Sequence, residues 1–237
     1  MRYVIADIHG CYKQYIELIE QIGLTDEDDL YILGDAMDRG PEPIKVIQDI
    51  MDRPNATYIL GNHDFMMWKV AKDLMVEIIE DNAESYLTQE HMQSWLDWME
   101  NGGGNTMEQF RKLSRKEQQG ILDYIEEASG YEVIDIGYYQ YILVHAGIAN
   151  FDERKMIEDY DLPDLIFYRP DFSQRLYKND PYTHIIVGHT PTITIHDDKR
   201  PEIYKENGYI AIDCGCVFGG RLAAYCIDTG ETVYSEL

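Results

Sequence analysis

The stretch TYILGNHDF, residues 57–65, decides how the chain folds. A short apolar run stops at Gly61 and gives way to Asn62, His63 and Asp64. Such a run reads as a strand buried on both faces, and polar residues at its end are delivered to the edge of a sheet. The same pattern recurs in YVIAD (3–7), LYILGD (30–35), YILVH (141–145), IIVGH (185–189) and YIAID (209–213), each closing on Asp or His. Between the first three runs lie two amphipathic patterns. YKQYIELIEQIG aligns Tyr15, Ile16, Leu18, Ile19 and Ile22 and stops at Gly23, while PEPIKVIQDIM opens on prolines and carries Ile44, Ile47 and Met51. Prolines at a helix start and glycine at its end are the expected punctuation. The opening is therefore βαβαβ, and its parallel strands place their C-terminal ends on one edge, where open α/β folds bind ligands.

The 237 residues suit one domain, spanning 1–237, with a helical cap insertion at about 65–130. The cap is read from FMMWKVAKDLMVEIIEDN, QEHMQSWLDWMENGGGNTMEQF and KEQQGILDYIEEA, whose Trp68, Trp95, Trp98 and methionines fall at the spacing of core residues. Beyond residue 130 the chain turns richer in β structure, with strand pairs turning at Gly137 and at Asp228-Thr229-Gly230. No window is apolar over the length a bilayer requires, and the N-terminus begins as a strand, so a cytoplasmic protein without a membrane partner is expected. Against 44 Asp and Glu stand 20 Lys and Arg, a net charge of -24 that disfavours nucleic acid polymers. The four cysteines form no CxxC pair and read as free, buried thiols, with Cys214-Gly215-Cys216 structural.

Asp7 and His9, two apart, project from one face if the strand stays extended and can share a cation. Asp35, Asn62, His145 and His189 add a donor at four further strand ends. Six mixed nitrogen and oxygen donors exceed the needs of one open catalytic metal but suit two divalent ions roughly 3.5 to 4 Å apart, bridged by a carboxylate, for which Asp35 is central. Such a donor set does not choose among Mn, Fe, Zn and Co; Mn is the metal expected to support activity in vitro.

DIHG, GDAMDRG, GNHD, HAG and GHT, in this order, resemble the signature motifs of the PPP metallophosphatases over nearly the whole chain. WLDWMENGGGNTMEQF and IDCGCVFGGRL are similar to further patterns of its bacterial and phage members, which include protein phosphatases and symmetrical diadenosine tetraphosphatases. The resemblance implies a calcineurin-like metallophosphoesterase α/β sandwich with a dimetal site at the strand ends. By the same resemblance Asp7, His9 and Asp35 hold one metal and Asp35, Asn62, His145 and His189 the other. His63 is then the general acid, held by Asp38, and Arg39 and Arg169 bind phosphate alongside Asn62. Leu60 and Asp64 depart from the Arg and Glu the family commonly shows there.

The expected chemistry is hydrolysis of a phosphate ester or anhydride by in-line attack of a metal-bound hydroxide. A phosphoserine or phosphothreonine protein phosphatase is the first reading and a symmetrical dinucleoside tetraphosphate hydrolase the second; a non-catalytic interaction module of the same fold is the third. A nucleotide enzyme calls for aromatic and basic residues beside the metals, and Tyr168, Arg175, Lys178 and Arg221 are the residues considered for that task. Oligomeric state is not encoded in any motif.

Overall fold

A computed structural model describes residues 1–75 and 88–236. Two mixed five-stranded sheets pack face to face. The first is ordered β10–β9–β1–β2–β3, from β1 (Arg2–Ile5), β2 (Asp29–Leu33), β3 (Ala56–Ile59), β9 (Ala223–Cys226) and β10 (Thr232–Tyr234). The second is ordered β4–β5–β6–β8–β7, from β4 (Tyr131–Ile136), β5 (Tyr139–Val144), β6 (Thr183–Val187), β7 (Tyr204–Glu206) and β8 (Tyr209–Ala211). Each sheet has a parallel centre, β1–β2–β3 in one and β5–β6–β8 in the other. These six central strands are the six apolar runs, so six chain segments leave the sheets at one edge.

Side-chain alternation builds the layers. From the first sheet Val4, Leu33 and Ile59 meet Leu143, Ile186 and Ile210 of the second. The residues between them, Ile5, Leu30, Ile32 and Tyr58, point the other way into a helical layer. That layer holds α1 (Tyr12–Ile22), α2 (Pro43–Met51), α3 (Asn62–Leu74), α4 (Gln89–Glu100), α5 (Gly104–Phe110) and α6 (Arg115–Glu126). Helix α1 buries Tyr15, Leu18 and Ile19 and ends at Gly23 with φ 61°, and α2 starts at Pro43, as the sequence predicts. The outer face of the second sheet is covered by α7 (Leu162–Ile166) and the loops around it, with Leu165, Ile166 and Phe172 against Ile142, Val144 and Tyr209.

The helical pattern expected across residues 65–82 is α3 as far as Leu74; its remainder over 76–82 lies outside the described residues. The core reading of the three tryptophans divides: Trp98 is 0% exposed, Trp68 partly buried and Trp95 40% exposed. The hairpins at Gly137 and at Gly230 are present, and a third joins β7 to β8 through Asn207 and Gly208, both at positive φ. That Asn-Gly pair is a strong hairpin signal passed over in the sequence. All four cysteines are free and buried, as expected. No helix among the described residues is long and apolar enough to cross a membrane.

Candidate dinuclear metal and phosphate site

The edge where β1, β2, β3, β5, β6 and β8 end gathers Asp7, His9, Asp35, Asn62, His63 and His145, all buried, and half-buried His189. Two groups of potential ligands form among the described residues, His9 with Asp35 and His63, and Asp35 with His145 and His189, each with donor atoms within 4.8 Å of one another. Asp35 belongs to both. Its Oδ2 lies 3.6 Å from Nε2 of His9 and 3.5 Å from Nε2 of His145, so one oxygen stands between imidazoles from the two sheets. Asn62 Oδ1 lies 3.0 Å from His145 Nε2 and 2.9 Å from His189 Nδ1. Asp7 Oδ1 is 4.0 Å from His9 Nε2, and Asp7 Oδ2 accepts from the backbone N–H of His189 at 2.9 Å.

Backbone carbonyls set the imidazole tautomers. Nδ1 of His9 donates to Met37 O at 2.8 Å and Nδ1 of His145 to Leu33 O at 2.6 Å. A carbonyl only accepts, so each Nδ1 carries the proton and each Nε2 turns a lone pair into the site, the usual outer support of a metal-binding histidine. Burial pulls His9 down to about 3, and the Arg39 and His63 charges add to it. Burial, His145 and Arg169 likewise take His189 to about 3. These imidazoles are neutral donors at physiological pH, the form that binds cations. Asp35, despite its burial, is held below the usual carboxylate range by the imidazoles of His145, His63 and His9.

Asp7, His9, Asp35, Asp38, Arg39 and His189 all adopt positive φ, between 45° and 67°. The left-handed region costs a non-glycine residue roughly 1 kcal/mol or more. Six together reach the order of the whole net stability of a domain, about 5–15 kcal/mol, so packing and hydrogen bonding must impose them. The imposed contacts are visible. A side chain at Gly61 would meet Asp35 Oδ1 at 2.2 Å, and one at Gly188 would meet Asp7 Oδ2 at 2.1 Å. Only glycine lets these backbones approach the carboxylates.

His63 opens α3 with Nδ1 at 2.8 Å from Asp38 Oδ2. Burial lowers its basicity, but Asp35 and the bonded Asp38 outweigh that and raise its pKa above the ordinary 6.5. Its Nε2 faces Arg39 Nη2 at 2.7 Å, and Arg39 Nη1 reaches His9 Nε2 at 2.5 Å. Asp38, wholly buried, also accepts from Trp98 Nε1 at 2.9 Å and Thr106 Oγ1 at 2.6 Å, while its own N–H donates to Thr106 Oγ1 at 2.9 Å. The Arg39 N–H donates to Gly102 O at 2.9 Å. The segment from Trp98 to Thr106 thus clasps the loop bearing Asp38 and Arg39. Trp98 and Thr106 are supports that sequence reasoning missed; the glycine triplet Gly102–Gly104 between them was their signal.

Asp213, where the sixth run ends, is a further buried carboxylate at this edge. Burial raises it to about 6, with Asp35 adding repulsion. It is also the foremost charge, after burial itself, acting to raise Asp7 well above its ordinary value. Asp64 tucks beneath the cluster, its Oδ2 accepting from Asp35 N, Tyr58 OH and Gly61 N at 2.7, 2.8 and 3.1 Å, and burial beside Asp35 raises it to about 7. The Asp64 departure thus serves the local backbone, and Leu60 packs into the helical core.

Arg169 lies at the mouth, its Nη1 3.4 Å from Thr190 Oγ1, in a segment whose Tyr168 and Pro170 close over Gly147 just past His145. The other nucleotide candidates do not all assemble there. Arg175 is bound to the carbonyls of Tyr177, Asp180 and Thr183, and the Arg221 guanidinium lies over Tyr234.

A calcineurin-like phosphoesterase family model matches residues 2–219. Among similar proteins are bis(5'-nucleosyl)-tetraphosphatases PrpE [asymmetrical] of Geobacillus sp. (strain WCH70), 29% identical over 97% of this chain and 91% of the relative, and of Bacillus subtilis (strain 168), 27% identical over 97% and 92%. A symmetrical bis(5'-nucleosyl)-tetraphosphatase of Nitrosomonas europaea is 30% identical over 41% of this chain and 37% of its own. Among solved structures, a candidate diadenosine tetraphosphatase superposes with a TM-score of 0.64 at 18% identity, over 98% of this chain and 91% of that one, a likeness of fold. The order of the strands, the paired donor groups at their ends and the family match over residues 2–219 agree: the chain is a metallophosphoesterase of the calcineurin-like family.

Proposed function

We propose that the protein hydrolyses bis(5'-nucleosyl) tetraphosphates. The observation that carries this is the likeness to relatives bearing that name along 97% of the chain. It favours the second of the two substrate readings over the phosphoprotein one. The relatives matched at full length are named asymmetrical, which favours cleavage next to a terminal phosphate, giving a nucleoside triphosphate and a monophosphate.

In this reading Asp7, His9 and Asp35 hold one divalent ion, and Asp35, Asn62, His145 and His189 the other. The ions when bound supply Lewis-acid charge and make water acidic enough to attack at neutral pH. Arg39 and Arg169 grip the phosphate oxygens, bidentately where the guanidinium fork allows, and Asn62 orients them. His63 Nε2, which faces the Arg39 guanidinium, would deliver the leaving group's proton once Arg39 turns to the phosphate, and the Asp35 and Asp38 charges favour the protonated ring. Asp38 positions that ring from below, itself held by Trp98 and Thr106. Manganese is the proposed in vitro cofactor.

The test is chromatography of products after incubating purified protein and Mn²⁺ with diadenosine tetraphosphate or with a phosphopeptide. ATP and AMP are expected from the first and no phosphate from the second. Two ADP would assign symmetrical cleavage, and phosphopeptide turnover without dinucleotide cleavage would return the first reading.

A further inference from the structure

We infer that Phe218 is a stacking platform for a nucleobase of the substrate, placed beside the arginine that holds its phosphate. The inference rests on the dinucleotide reading and specifies how that substrate is distinguished from other phosphate compounds.

Residues 214–220 form a tight loop after β8. Cys214 is buried between the sheets, whereas Cys216 is buried and Val217 partly buried on the helical side, so the loop is pinned into two cores. The Phe218 and Gly220 N–H groups both donate to Gly215 O at 2.9 Å, and Gly215 and Gly219 sit at φ 72° and 86°. A side chain at Gly220 would lie 2.1 Å from Cys214 O. Of the side chains in the loop, only the Phe218 ring turns outward, and it is 58% exposed.

An exposed phenyl ring on a tightly held loop forgoes burial that its neighbours obtain, and its position supplies a reason. The ring centroid is 5.2 Å from Arg39 Cζ, and the same guanidinium touches His9 and His63. A phosphate seated on Arg39 therefore brings an attached ribose and base within reach of the ring. A base offers a π-face to an aromatic side chain whatever its identity, and stacking is worth roughly 1–3 kcal/mol per base, about 5- to 150-fold in affinity. Phenylalanine has no polar atom with which to read base edges. The platform consequently favours a nucleoside over none while tolerating adenine and guanine alike.

The competing role is structural: the ring could steady Arg39 through the cation–π contact alone. The two roles separate when KM for diadenosine tetraphosphate is compared with the inhibition constant of inorganic tripolyphosphate, which offers phosphates without a base. For Phe218→Ala the ratio of KM to inhibition constant should rise about 5- to 100-fold, for Phe218→Trp it should return toward wild type, and diguanosine tetraphosphate should behave as the adenosine compound does. Tyr138→Ala, at the opposite end of β5 from His145, is the control with an unchanged ratio. Equal increases in both constants, or an unmoved KM, would overturn the platform and leave the dinucleotide reading standing. Wild-type protein that does not cleave dinucleotides removes both, a distinguishable result.

Discussion

The two sheets support one site by different means. The loops after β1 and β2 bring Asp7, His9, Asp35, Asp38 and Arg39 at positive φ, β3 leads into Asn62 and His63 at the start of α3, and this side is locked by glycine contacts and the Trp98–Thr106 clasp. The ends of β5 and β6 bring one imidazole each, with positive φ only at His189; His145 is held by the Leu33 carbonyl, His189 by its N–H bond to Asp7, and both rings face Asn62 Oδ1. In the proposed reading the proton donor and Arg39 thus sit on the strained, heavily supported side, while the second sheet completes the donor set and brings Arg169. Strain on the first side is sustained by contacts that exist only once the helical layer has packed.

Asp35 joins the two halves, and its loss should have the largest effect. Asp35→Asn is expected to lower kcat/KM by more than about 10⁴-fold, by removing a charge shared by both donor groups. Metal titration by calorimetry should show weakened binding at both positions; retention of two tight ions would separate the halves. Next comes His63→Asn, expected to cost about 10² to 10⁴ in kcat with little change in KM or metal content, the pattern of a lost proton donor. A comparable fall in bound metal would instead move His63 into the ligand set with His9 and Asp35.

Smaller effects test the supports. Trp98→Phe removes one donor to Asp38 and is expected to cost about 10- to 100-fold in kcat, as outer supports of metal sites do. Asp38→Asn should also move the alkaline limb of the kcat profile to lower pH, because the Asp38 charge raises the His63 pKa. On the second side, His189→Ala should weaken metal binding about 10- to 100-fold and be rescued by added Mn²⁺, in contrast with Trp98→Phe, which should not be.

The smallest expected effect concerns stability without metal. Asp213 has its pKa raised from 3.8 to about 6 by burial, so the folded state disfavours its charge. That penalty is absent below pH 3.8 and complete above about pH 6, so stability falls as pH rises through this window. Asp213→Asn keeps the acceptor for Gly215 N–H and should raise the Tm of chelator-treated protein by about 6–12 °C at pH 8 and leave it unmoved at pH 3.5. An equal shift at both values would trace the effect to packing rather than charge.

Much of the site was legible because strand ends and motifs are local. Asp7, Asp35, Asn62, His145 and His189 each follow an apolar run within two or three residues, and a parallel arrangement brings such positions to one edge whatever the remaining topology. Less legible were Trp98 and Thr106, at helical core spacing and 60 and 68 residues from Asp38. Phe218 was passed over for a comparable reason, since nothing in CGCVFGG tells which of its side chains turns outward. The separation of the strands into two sheets, which sets Asp35 between His9 and His145, likewise depends on which faces meet.

By itself, then, the sequence determined the βαβαβ opening, the donor types and their places at strand ends, because periodicity and turn chemistry act over a few residues. Tertiary structure alone decided that six residues take up left-handed backbone, which imidazole nitrogen faces inward, and that a remote tryptophan and threonine hold Asp38 beneath His63. Those features arise from packing between distant segments. No local propensity favours them, and several are locally unfavourable until the glycine contacts and buried hydrogen bonds close around them.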